Sequence, residues 1–200
     1  MKEKTIRDKL KDRELKVFTT AFLLFLFMAA LVGMAKDGQN PATVFRGLWT
    51  IIISRDALIT DYFELAGYGT ALLNACLVLT MGLLLLHREQ VKFTGLTMAA
   101  VFIYVGYGFW GKNPVNILPI LAGSSLYAKL HGSRLSRYLY TALFGTSLSP
   151  LITELVYLLP FDWKINLLIS IGAGISIGFI LPELSVHTAS MHMGFNLFNV

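Results

Sequence analysis

The chain has 200 residues and a net charge of +5, with 55% apolar residues, only 14% charged ones and a mean hydropathy of +0.63. This balance excludes an ordinary soluble domain and predicts an all-α, polytopic transmembrane helix bundle, because backbone in lipid must satisfy its own hydrogen bonds. At about 20 residues per crossing the length accommodates five to seven helices and no sizeable soluble domain. No basic stretch is interleaved with exposed aromatics, so the positive charge is read as topology and no nucleic-acid partner is expected. The single cysteine, Cys76, lies in an apolar run and rules out an intramolecular disulfide.

In chain order, residues 1–16 hold seven basic and four acidic side chains, with Glu3/Arg7 and Asp12/Lys16 at i, i+4 spacing. They form a charged cytosolic segment, and residues 17–200 form the transmembrane domain. Val17 to Ala35 carries no charge and predicts an uncleaved first span. Lys36 to Asp61 is the longest polar interval, but its Val44 to Ile53 run (VFRGLWTIII) is too apolar for a free loop and too short to cross. It predicts an interfacial or re-entrant helix with Trp49 near the headgroups.

Tyr62 to Leu86 predicts the second span and Val91 to Trp110 the third, which ends in an aromatic cluster. Gly111 to Lys129 follows (GKNPVNILPILAGSSLYAK). Its two prolines forfeit backbone donors and its asparagines bring polar groups that hydrocarbon cannot satisfy, which predicts a proline-broken helix. Tyr138 to Leu159 is interrupted at Thr146-Ser147-Leu148-Ser149-Pro150. A tight turn leads to Ile165 to Leu181, where Gly172, Gly174, Ser176 and Gly178 give two small-xxx-small pairs for close packing. The tail carries Glu183, His187 and His192 and closes with GFNLFNV.

Counting lysine and arginine decides between topologies. If Asn113 to Leu130 crosses, six spans result and both termini share a side that holds twelve basic residues, against five opposite: Lys36, Arg46, Arg55, Lys112 and Lys164. If it dips and returns, the ratio falls to ten against seven. The positive-inside rule therefore favours crossing, with a cytoplasmic N-terminus.

Four features stand above the lipid-like background. Asn113, Pro114 and Asn116 form the first, read either as a pore-facing break or as a helix merely begun by proline. Glu154 is the second, an acid inside a predicted span that either serves function or snorkels toward Lys164. Ser147, Ser149 and Pro150, with Thr153, form the third, either the partner of the first break in a midplane site or hydroxyls that repair a kink. Glu183, His187 and His192 are the fourth, and their spacing fits no good metal template. Gly106 to Gly111 matches G-x-G-x-x-G literally but follows no strand, and the serines lack a hydrolase context. No enzyme activity, metal or cofactor is expected.

On GYGTALLN, GKNPVNILPILAG, ALFGTSLSPLITE and MGFNLFNV the chain resembles an uncharacterised bacterial family of multi-pass membrane proteins with a domain of unknown function. The resemblance covers most of residues 17–200 and implies that the family continues past the last of these motifs. The chain is accordingly expected to be half of a two-repeat fold, cut short or completed by a second-repeat partner or by a homo-oligomer. A fainter similarity, in an Asn-Pro segment after a Gly-aromatic-Gly span, is to urea transporters. The functional expectation is a channel or transporter for a small neutral or weakly polar solute, with Asn113, Pro114, Asn116, Ser147, Ser149 and Glu154 along its path. The alternative is a structural or assembly subunit of a membrane complex. In either case the lipid bilayer is the first partner.

Overall fold

The computed structural model describes residues 2–56 and 60–192. Helix α1 spans Lys2–Lys36, so the charged leader and the first apolar run are one continuous helix. The Asp12/Lys16 pair forms at 2.8 Å, and Asp12 also accepts from the Phe93 N–H at 2.6 Å. The Lys16 hydrogen bond holds the Asp12 carboxyl below its usual range. This contact pins the link after α4 (Tyr68–Arg88) to the charged end of the bundle, called here the near side.

α2 (Pro41–Ile53) is a 13-residue helix begun by Pro41 and capped by Asn40, whose side chain forms a capping box with Thr43. It does not cross, as expected, and Trp49 is exposed. The predicted second span is cut at Gly67, whose φ of 82° disfavours any side chain; the cut leaves the five-residue α3 (Tyr62–Ala66) ahead of α4. Asp61 caps α3 by accepting from the Phe63 N–H at 2.8 Å.

The third and fourth expected spans are both half-length. α5 covers Gly95–Gly106 and α6 covers Leu118–Leu130, 12 and 13 residues. At 1.5 Å rise each is about 20 Å long or less, short of a hydrocarbon core of about 30 Å. Between them lies a 3₁₀ turn at Tyr107–Phe109 and a non-helical segment to Ile117. Both helices have their outer ends on the near side. Thr97 of α5 meets Tyr140 at 2.7 Å, and Glu89 accepts from the Ser136 N–H at 3.1 Å in the turn just after α6. The basic residues Lys129, Arg134 and Arg137 thus lie on the side that charge counting gave them, although the two segments penetrate as half-helices.

α7 (Leu139–Gly145), a 3₁₀ turn (Thr146–Leu148) and α8 (Ser149–Leu158) climb back to the far side as one interrupted rod. α9 (Trp163–His192) returns. Among the described residues four stretches are long and apolar enough to cross, within α1, α4, α7 with α8, and α9, where about six were expected. The difference arises from the two half-helices. The main core joins Leu79, Leu83 and Leu86 of α4 to Val101 and Tyr104 of α5, Leu121 of α6 and Leu143 of α7. Lipid is as apolar as these side chains, so the gain lies in close packing more than in removal from water.

That packing is tightest between α6 and α9. A β-carbon added to Gly178 would stand 2.0 Å from the Ile120 carbonyl oxygen, and one added to Gly123 would stand 2.0 Å from that of Ile175. Ser124 donates to the Gly178 carbonyl at 2.9 Å. Of the two expected small-residue pairs, only Gly174/Gly178 faces a helix; Gly172 meets nothing and Ser176 is exposed. The terminal GFNLFNV segment lies outside the described residues.

Candidate functional site

The non-helical segment between α5 and α6 is held at depth by asparagines. Asn74 is six residues into α4, about 9 Å from its far end, and its Nδ2 donates to the carbonyls of Gly108 at 2.7 Å and Lys112 at 2.9 Å. Asn113 Oδ1 accepts from the N–H groups of Val115 and Asn116, both at 2.9 Å. Asn116 Oδ1 accepts from the Asn113 N–H at 3.0 Å, while its Nδ2 donates to the Gly111 carbonyl at 2.8 Å and to Thr153 Oγ1 at 3.2 Å. Of the two readings of this segment, the break holds: the amides take the place of a helix's hydrogen bonds, and α6 begins only at Leu118, not at Pro114. This arrangement makes buried irregular backbone tolerable in a membrane protein.

Beside the segment is a second polar layer. Asp56 is fully buried in the link after α2 and accepts from the Tyr62 hydroxyl at 3.1 and 3.3 Å. The hydroxyls of Thr153 and Thr60 lie near its carboxylate and favour its ionised form. Desolvation pushes the Asp56 carboxyl up to about 7, against the opposing pull of these three hydroxyls. Tyr62 also lies beside the Asn113 side chain, whose Nδ2 is left without a hydrogen bond among the described residues.

Lys112 is completely buried as well. Its Nζ donates to the Tyr104 carbonyl at 3.3 Å and sits 4.3 Å and 5.3 Å from the ring centres of Tyr104 and Tyr107. It forms no ion pair among the described residues. Charge counting placed this lysine in outer water; it is enclosed by protein because the segment that carries it turns inward. Three buried polar atoms around the segment lack a partner among the described residues: Asn74 Oδ1, Asn113 Nδ2 and Ser149 Oγ.

The residues singled out in the sequence separate into two groups. Asn113, Asn116 and Ser149 are buried here, with Pro114 half-buried on the same segment, and Pro150 packs against the α-carbon of Gly111. Ser147 is half-buried on the 3₁₀ turn, where Thr146 donates to the Leu143 carbonyl at 2.6 Å as a kink-repairing hydroxyl does. Glu154 turns outward to Arg55, at 2.6 Å from Nη2, and not to Lys164. Glu183 and His187 do pair at 3.0 Å, at the near end of α9, where Glu183 also accepts from the Tyr127 hydroxyl. The side chain of His192 lies outside the described residues.

A cleft of about 380 Å³ opens between α2, α6, α8 and α9, and its lining is apolar except for Asn116 and Thr153. The polar layer thus reaches the edge of an apolar cleft. Asp56, Tyr62, Asn74 and Lys112 were not legible as a site. Asp56 and Lys112 read as ordinary loop charges, and only Asn74, an amide inside an apolar run, carried a signal.

A family model described as a protein of unknown function, DUF1576, matches residues 40–200. No curated protein and no solved structure matches the chain, and the similarity to urea transporters finds no support among them.

Proposed function

The chain belongs to the DUF1576 family of proteins of unknown function, and from its buried polar segment we propose a membrane transport protein for a small neutral or weakly polar solute. The observation that carries this reading is the non-helical stretch from Gly111 to Ile117. It is held inside an apolar bundle by Asn74, Asn113 and Asn116, beside buried donors and an acceptor that have no partner among the described residues. Half-helices that meet irregular backbone at depth are how membrane transporters present polar groups to a solute. The donors and acceptors suit a molecule that both gives and takes hydrogen bonds, and the apolar walls around Asn116 and Thr153 disfavour a highly charged one. The excess of lysine and arginine at the near side supports a cytoplasmic N-terminus in a bacterial inner membrane.

The test is solute flux into proteoliposomes, followed by light scattering with glycerol, acetamide and erythritol as probes. We expect flux of at least one probe above that of protein-free vesicles, reduced several-fold by Thr153→Val. Absence of flux for every probe, together with a stoichiometric partner recovered in detergent, would replace transport by the role of an assembly subunit.

A further inference from the structure

We propose that Asp56 is a proton-binding site reached from far-side water through the Arg55–Glu154 pair, so that the proton is a co-transported ion. The inference rests on the transport reading above and adds to it the coupling ion.

Three observations carry it. First, Asp56 is fully buried and forms no ion pair among the described residues. Arg55, its neighbour in sequence, is committed to Glu154, and Nζ of Lys112 lies against the Tyr104 carbonyl and two aromatic rings. A buried acid kept for structure alone is normally paired with a cation or several N–H donors, because an isolated carboxylate is costly to desolvate.

Second, among the described residues the polar groups that face the Asp56 carboxyl are hydroxyls: Tyr62 of α3 by a hydrogen bond, with Thr60 of the link and Thr153 of α8 nearby. A hydroxyl donates to a carboxylate and can also accept from a carboxylic acid, so although this shell favours the ionised form it can hold Asp56 in either protonation state. Guanidinium or ammonium partners serve only the ionised form. Glu154 is the acid whose field reaches Asp56, and it disfavours the ionised form. Burial and this acid raise the carboxyl to about 7, where external pH and membrane energisation act on it.

Third, the site has an evident door. Arg55 and Glu154 directly flank Asp56 and Thr153 in sequence, so the ion pair stands one residue from each of these two buried neighbours. The Arg55 side chain is 55% exposed and that of Glu154 18%, a graded path from water to a fully buried acid. With the pair open, hydronium delivers a proton to a carboxylate oxygen of Asp56 and leaves water. The reverse step, on the side to which the loaded site then opens, returns the proton to water and restores the carboxylate. No other bond is made or broken.

The experiment uses the full chain in proteoliposomes. Infrared spectra are recorded between about pH 5 and pH 8, and trapped pyranine reports lumenal pH while the glycerol, acetamide and erythritol gradients are applied. We expect a carboxylic-acid carbonyl band that titrates near neutral pH and is absent from Asp56→Asn, and a lumenal pH change that accompanies solute flux in the wild type alone. An Asp56 that stays ionised throughout this range overturns the proposal whatever the flux. Flux without a pH change removes the coupling and leaves transport standing, whereas no flux with any probe removes transport and the co-transport role with it. Should Asp56→Asn not fold, Glu154→Gln gives the second test: it is expected to speed deuterium exchange of the carboxylic-acid band several-fold, and an unchanged rate refutes the door.

Discussion

Arg55 and Glu154, 99 positions apart, meet in a two-pronged contact with Nη2 to Oε1 at 2.6 Å and Nε to Oε2 at 2.9 Å. This geometry suits a planar guanidinium and fixes orientation as well as distance. It ties the link after α2 to the far end of α8, one residue from each of the buried Asp56 and Thr153. Arg55→Glu is therefore expected to raise maleimide labelling of Thr153→Cys, in a Cys76→Ala background, several-fold. Arg55→Glu with Glu154→Arg should bring it back toward the parent rate. Equal labelling in all three proteins would mean that the pair covers nothing.

Asp56 makes stability depend on pH with a defined sign. Its carboxyl is raised in the folded chain, from 3.8 to about 7, so between those values the folded state holds a proton that the unfolded state has lost. Stability is then greatest at acid pH and falls as pH rises through this window. Thermal melting in detergent should show a midpoint that drops between about pH 4 and pH 7, with Asp56→Asn flattening the profile over that range.

Gly178 and Gly172 provide a matched pair on one helix. Alanine at 178 would place a methyl 2.0 Å from the Ile120 carbonyl oxygen and force α6 away from α9, while alanine at 172 meets nothing. Overpacking of this kind costs about 1 to 3 kcal/mol. Gly178→Ala should lower the melting midpoint measurably and Gly172→Ala should leave it at the parent value or slightly above.

Asn74 holds the buried segment by two carbonyls at once. Asn74→Ala leaves both without their donor, a loss of about 1 to 3 kcal/mol for each that water does not reach. Proteolysis or hydrogen exchange confined to residues 107–117, with α1 and α9 still protected, is the expected result. A uniform loss of protection would make Asn74 a general core residue.

Lys112 is a buried lysine without an acid partner among the described residues, and burial disfavours its charged form. Lys112→Met keeps most of the volume and removes the charge, and replacing a poorly compensated buried charge by a packed apolar chain is often neutral or stabilising. Melting at or above the parent midpoint together with reduced solute flux would identify a residue retained for function. Unchanged flux would leave it a structural one.

Composition and apolar run length by themselves determined that this is an all-helical membrane protein, where its first and last spans lie, that α2 does not cross, and on which side the basic turns fall. These are properties of chain in contact with lipid: enough apolar residues must cover the hydrocarbon, and each residue contributes independently of its distant neighbours. The same reasoning singled out Asn113, Asn116 and Ser149, since amides and hydroxyls in apolar runs stand out locally. It could not shorten the third and fourth spans, because an apolar run reads alike whether it continues as helix or is turned inward by hydrogen bonds from a remote residue such as Asn74. Nor could it move Lys112 from water to the interior, join Arg55 to Glu154, or place Asp56 among three hydroxyls. Each of those depends on which segments become neighbours after packing, and the close approach of α6 to α9 at Gly123 and Gly178 helps to settle it.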